Sequence, residues 1–254
     1  MRFASLGSGS RGNSLVVEAG GTRILLDCGF GPRQMEARLD RLGLSASDIA
    51  AVFLTHEHAD HVAGVWACAR RYRYRVFLTH GTLTVCDRNA DGVDVTVIDS
   101  HDPVVFRDLE LQPFPVPHDA REPVQYVISD GIARLGVLTD VGEPTVHLER
   151  MLTGCDGLVL ECNHDEEMLA NGTYPPVLKR RIAGRHGHLS NRTAAGLLER
   201  IRGDRLRCVV AAHLSEENNR PALARRALAN ALGCSDDDVT LADQSHGCDW
   251  QVLA

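Results

Sequence analysis

No two of the eight cysteines, at positions 28, 68, 86, 155, 162, 208, 234 and 248, stand in the C-x-x-C spacing of a redox or zinc motif. Also missing is any apolar run near the ~20 residues that a membrane-crossing helix needs. The opening MRFASLGSGSRGNS has no hydrophobic segment of the signal-peptide type. A cytoplasmic protein with reduced, mostly buried thiols is the expectation. Lysine is nearly absent, with Lys179 alone among 27 basic residues. Nothing in the placement of the arginines demands a guanidinium throughout, so the bias reads as a base-composition effect. Positive charge is in deficit, the formal net charge being −7. A field of that sign does not draw in nucleic acid, which counts against a sequence-independent DNA coat protein. An enzyme whose metals and local basic groups dominate at the site is still allowed. The chain shows no low-complexity linker and no short-period repeat. Its 254 residues, 44% of them hydrophobic, suffice for a large buried core.

Strand-like runs, RFASL, NSLVVEA and TRILLDC, open the chain between glycine-rich turns. Met35, Leu39 and Leu42 share one side of a helix predicted over 32–43 and ending near Gly43. IAAVFLTH (49–56) reads as a buried strand, HVAGVWACARRY (61–72) as a helix leaving it, and YRVFLTH (74–80) as another strand. Strands are predicted over 93–99, 103–118, 123–130 and 132–140, then a helix near 144–152 and the strand DGLVLECNHD (156–165). Helices over 191–201 and 218–232 flank the strand RCVVAAHLS (207–215). Strands first and strand–helix alternation later predict an α/β protein of stacked sheets covered by helices.

Three histidines and two acids crowd into LTHEHADH, residues 54–61. A zincin helix needs His-Glu-x-x-His, but after His56 and Glu57 the required position holds Asp60. The spacing present is His56-x-His58-x-Asp60-His61. In an extended segment residues two apart point the same way, so His56 and His58 can converge on one cation. Asp60 and His61 then lie where the chain turns into a helix, aimed at a neighbouring position. One ion cannot conveniently take four groups from so short a loop, whereas two can. Further ligands must come from elsewhere, and His118, Asp140 and His213 each close an apolar strand. A carboxylate such as Asp140 can bridge two metals ~3.5–4 Å apart. Imidazole and carboxylate together suit zinc, manganese or iron. A lone strand-end histidine is more often hydrogen-bonded than ligating; the HxHxDH grouping outweighs that reading. Glu57 is a bystander or an outer support.

With LLDCG (Asp27), THEHADH, His118, LTD (Asp140) and AAHLS (His213) in that order, the sequence resembles the metallo-β-lactamase superfamily over nearly the whole chain. The resemblance implies a four-layer αββα sandwich with its site at one edge of two sheets. It implies two divalent metal ions, zinc first, with manganese or iron as alternatives. His56, His58 and His118 would hold one ion, Asp60, His61 and His213 the other, and Asp140 would bridge them. Asp27 matches an acidic residue that orients a ligand rather than binding the metal.

Departures narrow the branch. Flavodiiron proteins carry glutamate where His58 stands, and secreted β-lactamases carry a signal peptide. Glyoxalase-type thioesterases have a C-terminal substrate segment not found here, and the long nuclease branch inserts a β-CASP domain. Transfer-RNA 3′-processing enzymes place an arm between the ligands matching His118 and Asp140, where this chain has only the 21 residues 119–139. One domain over 1–254, without insertion or arm, is therefore expected.

SLGSGSRGNS (5–14), LECNHDEEML and GRHGHLSN (184–191) are together similar to the WalJ/YycJ branch, bacterial proteins linked to DNA metabolism and regarded as 5′-to-3′ exonucleases. The resemblance implies a metal-dependent phosphodiester hydrolase with DNA as substrate, and Asp60, Glu161 and His188 as the catalytic candidates. Glu161 and His188 occupy places comparable to a glutamate–histidine dyad of the transfer-RNA relatives, whose histidine assists at the scissile phosphate. The alternative for His188 is a cap on the helix that starts at Ser190 or Asn191. Ser8, Ser10 and Asn13, in a turn offering backbone N–H groups, are candidates to cradle a terminal phosphate, or the turn is simply a hairpin connection. Asn163 and His164 either contact substrate or hold loop backbone. In KRRIAGRHGH (179–188), Lys179, Arg180, Arg181 and Arg185 either touch a nucleic-acid backbone or form a solvated helix face. The competing readings are a small-molecule phosphodiesterase or other metallohydrolase of the superfamily, which the acidic net charge favours, and a non-catalytic regulatory protein with structural metals. No membrane contact is expected, and oligomeric state is open.

Overall fold

Alternate residues along the strands enter different hydrophobic layers, and that alternation builds the molecule. The computed structural model describes residues 1–86 and 90–253. One seven-stranded sheet contains β1 (Arg2–Gly7), β2 (Ser14–Ala19), β3 (Thr22–Leu26), β4 (Ala51–Phe53), β5 (Arg75–Thr79), β6 (Val95–Ile98) and β14 (Gln251–Val252), in the order β14-β1-β2-β3-β4-β5-β6. The other contains β7 (Val104–Phe106), β8 (Leu109–Pro115), β9 (Val124–Ser129), β10 (Arg134–Leu138), β11 (Gly157–Glu161), β12 (Cys208–Ala212) and β13 (Thr240–Leu241), in the order β13-β12-β11-β10-β9-β8-β7.

Leu15 and Val17 of β2, Phe53 of β4, Val159 of β11 and Val210 of β12 meet in a core between the two sheets. Val16 and Val52 face the opposite way, towards Met35 and Leu39 of α1 (Pro32–Asp40) and Trp66 and Cys68 of α3 (Val65–Tyr72). On the far side, Leu158, Leu160, Val209 and Ala211 pack with residues of α5 (Val146–Leu152), α8 (Asn191–Ile201) and α9 (Pro221–Leu232). Three cores separate four layers, the αββα sandwich. Both sheets are covered on both faces, which is why their strands read as near-continuous apolar runs. Among the described residues no helix is long and apolar enough to cross a membrane.

β3, β4 and β5 run parallel, as do β10, β11 and β12. β8 and β10 are both antiparallel to β9, so β8 shares their direction. The carboxyl ends of these strands therefore gather at one edge, the usual place for a site in such sheets. Three expected elements differ. The run over 103–118 is not one strand but the antiparallel pair β7 and β8, turning at Arg107, whose φ is 55°. The strand over 49–56 is ordered as β4 only to Phe53, leaving Leu54 to His58 as an irregular segment. The helix over 61–72 is broken into α2 (Ala59–Val62) and α3, because Gly64 lies against the backbone of Phe30, where a Cβ would come within 1.8 Å of the carbonyl oxygen. Sequence reasoning also missed three short helices, α4 (His80–Cys86), α6 (Glu166–Asn171) and α7 (Pro176–Ile182). Each is below the length at which periodicity can speak.

Candidate metal centre

Strand ends deliver the site residues in turn. Asp27 follows β3, His118 follows β8, Asp140 follows β10, Glu161 closes β11 and His213 follows β12. His56 and His58 lie on the segment after β4, and Asp60 and His61 in the first turn of α2. Asp27, Asp140 and His213 all have left-handed backbone, with φ of 59°, 54° and 55°. Non-glycine residues reach that region at a cost that surrounding structure must meet. Each turn reverses the chain as it leaves a strand, aiming the side chain across the sheet edge.

The HxHxDH loop is fastened to the β3 end through backbone. Asp27 donates its amide to Phe53 at 2.9 Å, Cys28 to His61 at 2.8 Å and Asn13 to Asp60 at 2.8 Å. Gly29 sits where the two segments touch, and a Cβ there would lie 1.9 Å from the Asp60 carbonyl oxygen. That contact explains the glycine of LLDCG.

Five imidazoles are each anchored by the nitrogen that points outward. His61 Nδ1 donates to Asp27 Oδ2 at 2.7 Å. Thr55 gives its hydroxyl proton to Asp27, so its oxygen accepts from His56 Nδ1 at 2.9 Å. His58 Nε2 donates to the Asp119 carbonyl at 3.2 Å, His118 Nδ1 to the Gly187 carbonyl at 3.1 Å, and His213 Nδ1 to Glu161 Oε1 at 2.9 Å. A proton on the outer nitrogen leaves the inner one as a bare lone pair, the tautomer a metal ligand needs.

The inner nitrogens converge in two groups. His56, His58 and His118 form one, and Asp60, His61 and His213 the other, while His56, His61 and Asp140 form a third set linking the two. His58 Nδ1 and His118 Nε2 are 3.2 Å apart. Asp60 Oδ2 lies 3.4 Å from His61 Nε2 and 3.6 Å from His213 Nε2. Donors on one tetrahedral ion with bonds of ~2.0–2.1 Å stand about 3.3 Å apart. Buried atoms without a hydrogen-bond partner include His56 Nε2, Asp140 Oδ2 and His213 Nε2. Such orphans are costly in a low-dielectric interior. Converging lone pairs, their spacing and the orphaned atoms fit a pair of divalent cations.

Electrostatics without those cations point the same way. Burial alone would lower His213, but Asp140, the nearby Asp60 carboxylate and the hydrogen bond to Glu161 outweigh it and push its pKa up to about 10. His61 is likewise raised well above the usual imidazole range, against its burial, by Asp140, Asp27 and Asp60. Burial would raise Asp140, yet His213 and His61 hold it well below the usual carboxylate range. His56 goes the other way, lowered by burial and then by His61. Protons thus stand in for positive charge that the carboxylates demand.

Glu161 serves two imidazoles. Its Oε1 accepts from His188 Nδ1 at 2.8 Å and from His213 Nδ1 at 2.9 Å, and its Oε2 accepts the amides of Val141 and Leu189, each at 3.1 Å. Burial would raise its pKa, but His188 and these bonds take it down to about 2. His188 is raised in turn by Glu161 against the effect of burial. Its ring lines a cavity of about 260 Å³ shared with His58, Asp60, Asp140 and His213. The cap at α8 is made by Ser190, whose hydroxyl accepts from Thr193, so His188 is not the capping residue.

Other candidates scatter. Ser8 Oγ accepts from the His213 amide at 2.9 Å and donates to Asn13 Oδ1 at 3.3 Å. Asn13 Nδ2 donates to Asp60 Oδ2 at 3.0 Å and lies 3.1 Å from His61 Nε2. The amides of Ser8, Gly9, Arg11, Gly12 and Asn13 all have partners within the protein, so a cradle of free N–H groups is not what this loop forms. It is the connection between the antiparallel strands β1 and β2, and only Ser10 of the three faces the cavity. Asn163 and His164 are buried. The first donates to the His213 carbonyl at 3.1 Å, and the second pairs its backbone with the segment at Ser190, so both support the site from inside. Lys179 donates to the Ala170 carbonyl, Arg185 pairs with Glu143 and Arg180 is exposed; none of the three lines the cavity. Arg181 does, with Nε 2.6 Å from Asp119 Oδ2. Sequence reasoning missed Thr55, Asp119 and Tyr174. The first two adjoin ligand-type residues, which was their only signal, and Tyr174 had none. Glu57 Oε1 accepts the Arg121 amide at 2.6 Å, an outer support.

Comparison with known proteins matches the Beta-lactamase superfamily domain to residues 22–213. Exodeoxyribonuclease YycJ of Bacillus anthracis is 32% identical over 235 residues, 91% of this chain and 89% of that protein. Exodeoxyribonuclease WalJ of Streptococcus pneumoniae is 31% identical over 240 residues, 92% and 89% of the two chains. The metallo-beta-lactamase fold protein YhfI from Bacillus subtilis superposes with a TM-score of 0.76 over 98% of each chain at 14% identity. Zn(2+)-bound PqqB from Methylobacterium extorquens gives 0.71 over 100% of each at 20% identity. At those identities the structural likeness is one of fold.

Proposed function

Because this chain belongs to the β-lactamase superfamily, we propose that it is a two-metal phosphodiesterase that degrades DNA from a 5′ end. The observation that carries the reading is the convergence of five outward-anchored imidazoles on two positions with Asp140 between them. Relatives over nine-tenths of the chain that are exodeoxyribonucleases support DNA as the substrate. One domain carries the whole site, and location in the cytoplasm belongs to the same reading.

His56, His58 and His118 would hold one cation and Asp60, His61 and His213 the other, with Asp140 available to both. Zinc suits this donor set, with manganese and iron as alternatives. When bound, two such cations supply Lewis-acid activation of water and offset the charge that develops on a phosphodiester. Asp27 keeps His61 in its ligating tautomer, and Thr55 does the same for His56. Asp60, at the cavity wall, would hold metal and is placed to orient the attacking water. His188 has Nδ1 committed to Glu161, which leaves Nε2 to donate a hydrogen bond or proton to the leaving oxygen. Glu161 couples that donor to His213, so the proton donor and one metal ligand share a single rigid acceptor.

The test is digestion of a 5′-phosphorylated, 3′-labelled DNA duplex by protein of assayed metal content, with Asp140→Ala alongside. Progressive shortening from the 5′ end that vanishes in Asp140→Ala is expected. Hydrolysis of a chromogenic small phosphodiester without any attack on DNA would reject DNA as the substrate.

A further inference from the structure

One wall of the cavity is unlike the rest. Leu178 and Ile182 lie one turn apart on α7, and Tyr174 stands in the turn just before that helix. All three face the same 260 Å³ space as Asp60, Asp140 and His213. The Tyr174 ring is half-buried. No residue of α7 is buried, so the helix contributes nothing to a core and its apolar side is spent on the cavity. The wall is held in place by contacts along its length. Arg181 is bound to Asp119, Lys179 to the Ala170 carbonyl, and the Ile182 carbonyl accepts the His188 amide at 2.8 Å. The following loop rests on Gly142, where a Cβ would lie 2.2 Å from the Arg185 carbonyl oxygen.

A cluster of cation ligands on one side and an aromatic–aliphatic wall on the other suits a ligand with a phosphate at one end and a flat ring at the other. Resting on the DNA reading above, the geometry points to a subsite for a single unpaired 5′-terminal nucleotide, the phosphate on its 3′-oxygen, where the chain is cut, at the ligand cluster and its base stacked on Tyr174 against Leu178 and Ile182. Base–aromatic stacking tolerates any sequence because every base has a π-face. The space lies just below the usual range of ligand pockets, enough for one nucleotide and too little for a base pair. The terminal base therefore leaves its partner before it enters, as in other enzymes that draw a nucleotide out of a duplex.

The test needs no turnover. Binding of thymidine 3′-monophosphate and of 2-deoxyribose 3-phosphate to the metal-loaded protein is measured by calorimetry. Wild-type protein should prefer the nucleotide about tenfold or more. Tyr174→Ala should erase that preference, and Tyr174→Phe should keep it. Equal affinity for the two ligands in the wild type, or an undiminished preference in Tyr174→Ala, overturns the subsite. Preference without DNA digestion would uphold the pocket and reject the exonuclease reading; digestion without preference would do the reverse.

Discussion

The ligand cluster and the α7 wall face the same cavity but are built in opposite ways. Among the ligands His56, His61, His118, Asp140 and His213 are buried, the four histidines are anchored by second hydrogen bonds, and Asp140 and His213 are held in left-handed backbone. The wall has no buried helical residue and is tied down by exposed ion pairs and carbonyl contacts. Buried, multiply bonded groups open only with the global unfolding of a domain, whereas lightly packed segments open at much lower cost. The ligand-type residues thus sit on the tightly packed part of the molecule and the apolar wall of the cavity on a lightly packed one. A reacting water and phosphate need positions held within fractions of an ångström, while a strand of varied bases needs tolerance.

The largest effect expected is at the centre of the cluster. Asp140→Ala removes the group shared between the two donor sets, and activity should fall by about 10³-fold or more. Elemental analysis should show fewer than two metals per chain. Full metal content together with wild-type turnover would dissolve the distinction between cluster and wall.

Next is Glu161→Gln, which keeps the side chain's shape. An amide cannot accept at both ends, so of the four donors on Glu161 some lose their partner. Metal affinity should drop about 10–100-fold, the usual range for a group supporting a ligand, and kcat should fall with it. A fall in kcat with untouched metal affinity would show that Glu161 serves His188 alone.

Removing the metals with a chelator should reveal the protons that replace them. His61 and His213 have folded pKa values raised above the ordinary imidazole value of about 6.5. Stability from such groups is fully present below the unfolded value and is lost as pH rises through the folded one. The stripped protein should therefore melt at progressively lower temperature between about pH 7 and pH 10. The loaded protein, whose imidazoles stay neutral, should not follow that course. His56, shifted downward, acts only below about pH 6.5 and does not alter the sign here. Reloading at pH 7 should release protons, which calorimetry in buffers of different ionisation enthalpy would count. Parallel melting curves for the two forms would contradict the charge replacement.

The smallest effect belongs to the wall. Arg181→Glu should weaken DNA binding and lower the slope of log affinity against log salt by about one unit per lost phosphate contact. Metal content should not change. The same substitution at Arg180, which does not reach the cavity, should do less. Equal losses at both positions would make the basic face of α7 a diffuse attraction rather than part of the site.

Much of the cluster was legible because its residues are local or end apolar strands. His56, His58, Asp60 and His61 sit within six positions, and His118, Asp140 and His213 each close a run that can only be buried. Partners distant in the chain are not recorded by spacing. The Glu161–His188 pair, 27 residues apart, was implied by the resemblance alone, while the bond of Glu161 to His213, 52 residues away, and that of Asn13 to Asp60, across 47, were not foreseen. Asn163 and His164 looked like loop residues and are buried supports, because the chain folds inward beyond β11 to pack against the turn at Leu189.

By itself the sequence determined the layers, since the period of two along each strand says which residues enter which core, and it determined the ligand types. Only the tertiary structure decided which nitrogen of each imidazole faces inward, which of the basic residues reach the cavity, and that a tyrosine stands opposite the ligands. Tautomer and reach depend on acceptors brought together across sheet edges, and no local pattern records those contacts.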